Sequence, residues 1–188
     1  LEAAGMEAWP PSISLGEPPS SVLAGDTGRR VGTGGRVRAV RDHGRLVFAD
    51  IEREGTTLQL VLDASVLGAE RGSLWRLVDI GDVVAAHGSV GTTRTGQRSV
   101  FVDSWVMAAK SLRPLPAPGT ALDARTRTRE RVVHFLTDPS ALEVLRRRSR
   151  AFTEVRHPLE ERGYLEVETP MLHPVKGGAN ARPFVTHL

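Results

Sequence analysis

Gly35-Arg-Val-Arg-Ala-Val-Arg41-Asp-His-Gly44-Arg-Leu-Val-Phe48-Ala-Asp-Ile51, followed shortly by Leu58-Gln59-Leu60-Val61-Leu62, is the run on which the fold of this chain turns. Val37, Ala39 and Arg41 alternate with their neighbours. The cluster Asp42-His43-Gly44 is turn chemistry, and an apolar run from Leu46 to Ile51 follows it. Leu58, Leu60 and Leu62 then interleave with Gln59 and Val61, the period of a strand with two different faces. Working outward, residues 64–77 break that rhythm and predict a short helix, with Trp75 and Leu77 facing inward. Asp82 to Val90 and Ser99 to Met107 supply two more strands, joined by the turn-like Thr92-Thr93-Arg94-Thr95-Gly96.

Five strands with one helix between the third and fourth is the layout of an OB-fold barrel. An SH3-like barrel lacks that inserted helix. Arg113-Pro114-Leu115-Pro116-Ala117-Pro118 ends the barrel, because closely spaced prolines cannot continue a central strand. Ala121 to Phe135 reads as helical, and Asp138-Pro139 starts a further helix with an acid followed by a first-turn proline. Leu142, Leu145, Phe152, Val155 and Leu159 form one apolar stripe along it. Gly163 is placed to stop it. Pro158, inside the pattern, is expected to kink or break its last turn. A short strand is expected next, ending at Pro170. Prolines at 10, 11, 18 and 19 make residues 1–30 a linker or loosely ordered arm. The expected division is 1–30 arm, 31–116 barrel, 117–137 helical connector and 138–188 the start of an α/β domain.

Composition narrows the classes. The chain is 40% hydrophobic and 25% charged, ordinary for a globular protein. No apolar run approaches the length of a membrane span, and no charged-then-apolar leader is visible. With no cysteine there are no disulfides and no thiolate metal sites. Twenty-three arginines face two lysines, and ten of them fall between Arg125 and Arg162 against six acidic residues. Coding bias in a GC-rich genome and a surface that favours phosphate are both consistent with this. The glycine-rich Gly32-Thr33-Gly34-Gly35 precedes a strand and not a helix, so it is no phosphate loop. The six histidines are isolated, without the helical i, i+4 pairing of a zinc protease. Glu166 and Glu168 lie two apart on the expected strand and read as scaffold, not as an acid/base pair. Arg146-Arg147-Arg148 reads as a solvated face.

The barrel run resembles the anticodon-binding barrel shared by lysyl-, aspartyl- and asparaginyl-tRNA synthetases. The segment from Pro139 to Pro170, with Glu166-Val167-Glu168-Thr169-Pro170, resembles motif 1 of the class II enzymes. Gly177-Gly178-Ala179 with Ala181-Arg182-Pro183-Phe184 narrows the resemblance to the lysyl enzymes. The likeness covers residues 31 to 187, and Leu112-Arg113-Pro114-Leu115-Pro116 falls within it.

The resemblance implies roles residue by residue. Phe48 would stack on the central uridine of the anticodon, with Arg41 and Gln59 contacting the same base. A strand aromatic such as Phe48 also fits a barrel core, and that alternative stands. Gly177, Gly178 and Ala179 would form the loop over the substrate lysine, where glycine lets backbone groups come close. Phe152, Leu159 and Pro170 would belong to a homodimer interface. The implied activity is ATP-dependent activation of L-lysine with magnesium, then its transfer to tRNA(Lys), in the cytoplasm. The motifs holding ATP and magnesium would lie past Leu188, so the chain by itself is expected to hold no catalytic residue and no metal and to be inactive. Two alternatives remain. One is a two-function protein that also makes lysyl-phosphatidylglycerol, suggested by the start at Leu1 without a methionine, and attached to a membrane upstream. The other is a non-catalytic module binding tRNA or single strands.

Overall fold

The alternating residues of the opening run become strands because each has one apolar side to bury. In the computed structural model, which describes residues 5–116, 120–171, 184 and 186, they form β1 (Arg30–His43), β2 (Leu46–Arg53) and β3 (Thr56–Asp63). Two-residue turns join them. Gly44 has φ 79°, and the second turn places both Glu54 (φ 57°) and Gly55 (φ 79°) in the left-handed region that tight hairpins need. Asp42 Oδ1 accepts from the Gly44 amide at 2.7 Å and fixes the first turn.

β4 (Val83–Thr92) and β5 (Arg98–Ala109) complete a closed barrel in the order β1-β2-β3-β5-β4. Closure takes two pairings. β3 runs parallel to β5 from Gln59 to Leu62, and the first half of β1 runs antiparallel to β4. β1 changes partner at Arg36, with an irregularity between Val37 and Ala39 where it turns from β4 to β2. The glycines there make the bend: a Cβ on Gly34 would meet the Val84 carbonyl oxygen at 2.7 Å, and one on Gly35 the Glu52 carbonyl oxygen at 2.8 Å. The glycine run excluded above as a phosphate loop is thus a corner of the barrel.

The inward faces give the core: Val37, Ile51, Leu58, Leu60, Leu62, Val84, Val90, Val100, Trp105 and Met107 are almost fully shielded. Trp105 meets Trp75 edge-to-face at 4.7 Å. Between β3 and β4 the chain forms α2 (Ala64–Leu67), α3 (Ala69–Leu74) and a 3-10 turn, Trp75–Leu77. Trp75 is buried as expected, but Leu77 is exposed. The tighter turn ends there and rotates Leu77 away from the face that Trp75 occupies.

The described part of the N-terminal segment is packed on the barrel. Helix α1 (Pro19–Ala24) starts at a proline and buries Val22 in the core. The Glu17 amide donates to Gly32 O at 2.8 Å, and Arg29 pairs with Glu17. The expected looseness therefore does not extend over residues 17–29. The far end of β5 is held by a buried carboxylate. Asp82 accepts from the Asp79 and Ser111 amides and from Lys110 Nζ, at 2.7–2.8 Å. Burial pulls the Lys110 pKa down, but its hydrogen bonds to Asp79 and Asp82 outweigh that and raise it above the ordinary value.

After the barrel come α4 (Ala124–Arg129), α5 (Arg131–Thr137) and α6 (Pro139–Glu161). Asp123 caps α4 through the Thr126 amide at 2.8 Å. Arg38, paired with Glu52, also donates to Leu136 O at 2.6 Å and docks α5 against the barrel. The chain divides into two units, residues 1–139 and 140–188.

Helix α6 continues through Pro158 to Glu161, so the expected break does not occur. The proline lacks only the amide that would bond to the Glu154 carbonyl, one turn before the helix ends. Gly163 (φ 84°) stops it as expected, with Gly163 N donating to Glu160 O and Tyr164 N to Leu159 O. The strand expected up to Pro170 is not formed: residues 164–170 carry no regular structure. A strand needs a neighbour for its backbone groups, and these residues have none among the described residues.

Candidate nucleic-acid interface

The three barrel residues singled out above lie on neighbouring strands, on the outer face. Arg41 pairs in register with Phe48, Phe48 with Val61, and Asp50 with Gln59. Side chains opposite each other in a ladder share a face, so parity turns Phe48 outward while Val47, Ala49 and Ile51 go inward. Phe48 is outside the core and partly exposed, which rules out the core alternative. His43 meets its ring edge-on at 5.7 Å and 76°.

Arg41, Phe48 and Gln59 share one groove of about 1210 Å³, lined also by His43, Asp50, Val61, Ser89, Arg94, Gln97 and Phe101. Arg41 is not idle in it. Its two terminal nitrogens donate to the two oxygens of Asp50, each at 2.8 Å. The hydrogen bonds to Asp50 raise the Arg41 pKa above its ordinary value. Gln59 is only 5% exposed. Its Oε1 accepts from Ser99 Oγ at 2.9 Å.

A partly exposed aromatic ring, a guanidinium and an amide along one groove can hold a flat heterocycle and donate to its edge. Sequence reasoning missed Asp50, Ser99 and Phe101. Their signal was present in the alternation: Val100 and Val102 are core residues, so Ser99, Phe101 and Asp103 must face outward.

The other predicted positions are placed as follows. Phe152 and Leu159 are exposed on α6, and Pro170 is exposed in the irregular segment after it. Phe152 is flanked by Arg148 at 5.5 Å and Arg156 at 5.7 Å from its ring centre. Arg156 also pairs with Glu166 at 2.9 Å. Arg146, Arg147 and Arg148 are all exposed. Gly177, Gly178 and Ala179 lie outside the described residues. Among the described residues no group of His, Cys, Asp and Glu is arranged to hold a metal ion. No helix among them is long and apolar enough to cross a membrane. No chemical step is assigned to the described residues.

Comparison with known proteins adds two regional matches. Residues 31–108 match the OB-fold nucleic acid binding domain family, and residues 123–188 match the class II tRNA synthetases of the D, K and N group. A lysine–tRNA ligase of Mycolicibacterium gilvum is 45% identical over 163 residues, 86% of this chain and 32% of the relative. One from Kineococcus radiotolerans is 44% identical over 194 aligned positions, covering 98% of this chain and 39% of the relative. The lysylphosphatidylglycerol biosynthesis bifunctional protein LysX of Mycolicibacterium vanbaalenii is 37% identical over 190 positions, all of this chain and 17% of that protein. The chain spans about a third of the length of the lysine–tRNA ligases it matches.

Proposed function

We propose that this chain, which matches an OB-fold nucleic acid binding domain over residues 31–108 and the class II tRNA synthetases of the D, K and N group over residues 123–188, supplies the anticodon-reading and dimer-forming front of a lysine–tRNA ligase. The observation that carries the reading is the single groove in which Arg41, Phe48 and Gln59 meet. The central base of the lysine anticodon, a uridine, stacks on Phe48, and such stacking contributes about 1–3 kcal/mol per base. Stacking accepts any base, so the choice of uracil falls to edge contacts. Uracil's carbonyl oxygens accept hydrogen bonds, and Arg41 and the Gln59 amide nitrogen donate them. Arg41 keeps donors to spare beyond the two committed to Asp50. Asp50 holds the guanidinium in place before RNA arrives.

The intact enzyme would activate L-lysine with ATP and magnesium and pass it to tRNA(Lys), working in the cytoplasm as a homodimer. The exposed α6 stripe with Phe152 and Leu159, followed by Pro170, supports the dimer. Gly177, Gly178 and Ala179 are assigned to the lysine pocket by their motif alone. We expect this chain by itself to form no lysyl-adenylate from ATP and lysine.

The deciding experiment is binding of the chain to lysine tRNA against the same tRNA with its central anticodon uridine replaced, at two salt concentrations, with Phe48→Ala alongside. Base swap and mutation each weaken binding by about 1–3 kcal/mol, and together by no more than one alone. Binding that ignores the base and falls only with salt would mean a generic polyanion grip.

The match along the whole chain to a bifunctional lysylphosphatidylglycerol protein favours a second reading, with a membrane lysyltransferase region upstream. A complete reading frame without hydrophobic spans before Leu1 removes it. A non-catalytic RNA-binding module is excluded once the downstream frame shows the class II arginines that hold ATP.

A further inference from the structure

The outer face of the barrel carries a second aromatic that the reading above leaves unused. Phe101 on β5 is 42% exposed and lines the same groove as Phe48. Register places the two rings on one line across three strands: Phe48 pairs with Val61, and Val61 pairs with Phe101. Neighbouring strands lie about 4.8 Å apart, so the two ring positions are about 10 Å apart. Val61 between them is outward-facing and apolar, yet only 5% exposed and not part of the core cluster.

The seat of Phe101 is built by a glycine. A Cβ on Gly91 of β4 would stand 2.6 Å from Cε2 and 2.9 Å from Cδ2 of the Phe101 ring. Only a residue without a side chain lets the ring lie back on the sheet there. The ring is thereby supported by the sheet beneath it while much of its surface stays in water, the condition for a stacking platform and not for a core residue. Arg94, exposed in the turn between β4 and β5, stands at the rim of the same groove where a backbone phosphate would pass.

We propose that Phe101, seated on Gly91, is a second stacking platform for a base adjacent to the one held by Phe48, so that the barrel reads two splayed neighbouring bases of one RNA strand. The occupant is a nucleobase because the site continues the groove whose first ring is assigned to one. The inference thus rests on the anticodon-reading proposal, and its test separates the two.

The probe is an RNA hairpin carrying the lysine anticodon loop, with each loop nucleotide in turn made abasic. It is titrated into the chain and its Phe101→Leu, Phe101→Tyr and Phe48→Ala variants. Leucine keeps apolar bulk and removes the π face, tyrosine keeps the face, and thermal melting checks that each variant folds. Removing one base next to the central uridine is expected to weaken wild-type binding about 5- to 150-fold. Phe101→Leu should weaken the intact hairpin to a similar degree, add nothing to that abasic RNA, and leave the central-uridine effect in place. Phe101→Tyr should restore binding. The proposal is overturned if Phe101→Leu binds the intact hairpin like wild type. It is equally overturned if the variant loses the same factor against every abasic RNA. Loss of the central-uridine effect in wild type would instead sink the anticodon reading, whatever Phe101 does.

Discussion

The barrel and helix α6 place their apolar residues in opposite ways. In the barrel, alternation sends Leu58, Leu60 and Leu62 into a closed core and leaves Gln59 and Val61 for the outer face. In α6 the apolar stripe is largely open to water: Leu145, Phe152, Val155 and Leu159 are exposed, and none of the helix's residues is buried. The barrel completes its burial within this chain. A lone helix draws little stability from propensity and needs a partner for its apolar face. The one surface can therefore be tested for what it binds with little disturbance of the fold, and the other for what it associates with.

The sharpest way to break this contrast is a matched pair of truncations. Leu60→Ala should destabilise the barrel by about 2–5 kcal/mol, seen as a lower denaturant midpoint. Leu159→Ala should move that midpoint by no more than about 0.5 kcal/mol. Its effect should appear in light scattering, as weaker self-association together with Phe152→Ala. A large stability loss from Leu159→Ala in dilute chain would show that α6 already buries this face.

The next contrast lies within the barrel. Phe48→Ala should lower RNA affinity by about 1–3 kcal/mol while changing stability by only about 1 kcal/mol or less. A stability loss on the scale of Leu60→Ala would return Phe48 to the core. A smaller effect is expected for Asp50→Asn. With Arg41 44% exposed, the ion pair contributes only about 0.2–1 kcal/mol to stability. What should decline is discrimination between the central uridine and its replacement, because Arg41 loses the carboxylate that orients it. Unchanged discrimination would show that Asp50 does not position Arg41.

The smallest effect concerns Asp63, which precedes α2. The Ser65 hydroxyl and amide both donate to its Oδ1, at 2.7 and 2.9 Å, and the hydroxyl bond leads in holding its pKa below the usual carboxylate value. The folded state therefore favours the ionised form. That contribution is present above the unfolded pKa, about 3.9, and is lost as pH falls through the folded value. Asp63→Asn should flatten the acid limb of stability slightly below about pH 4, measured by denaturant midpoints at several pH values. An acid limb identical to wild type would remove the cap from the account.

Much of the fold was legible because a strand with one buried face writes its parity into the sequence, as Leu58 to Leu62 does. The same parity made Phe101 readable as outward. What stayed hidden depended on partners. Glu166 to Thr169 alternates like a strand, but alternation gives no neighbour to bond with. The prolines at 18 and 19 suggested looseness, yet Pro19 starts the helix that buries Val22. The irregularity at Val37–Ala39 and the close approaches at Gly34 and Gly35 arise where β1 changes partners, a contact no local window contains. For the candidate site, residue types pointed to Arg41, Phe48 and Gln59. The clamp of Asp50 on Arg41 and the Ser99 bond to Gln59 needed the sheet.

The two-residue turns after His43 and Arg53 have a kinetic consequence. They make β1, β2 and β3 a meander of near-neighbour contacts, whereas β1–β4 and β3–β5 join segments far apart in the chain. Pairings of large sequence separation form slowly because their loops must close first. Arg41, Phe48 and Gln59 all sit on the meander, so their spacing can be established while the barrel is still open. The ring of Phe101 and its glycine seat arrive only with closure. A nascent chain would thus carry half of its reading surface before its core is sealed.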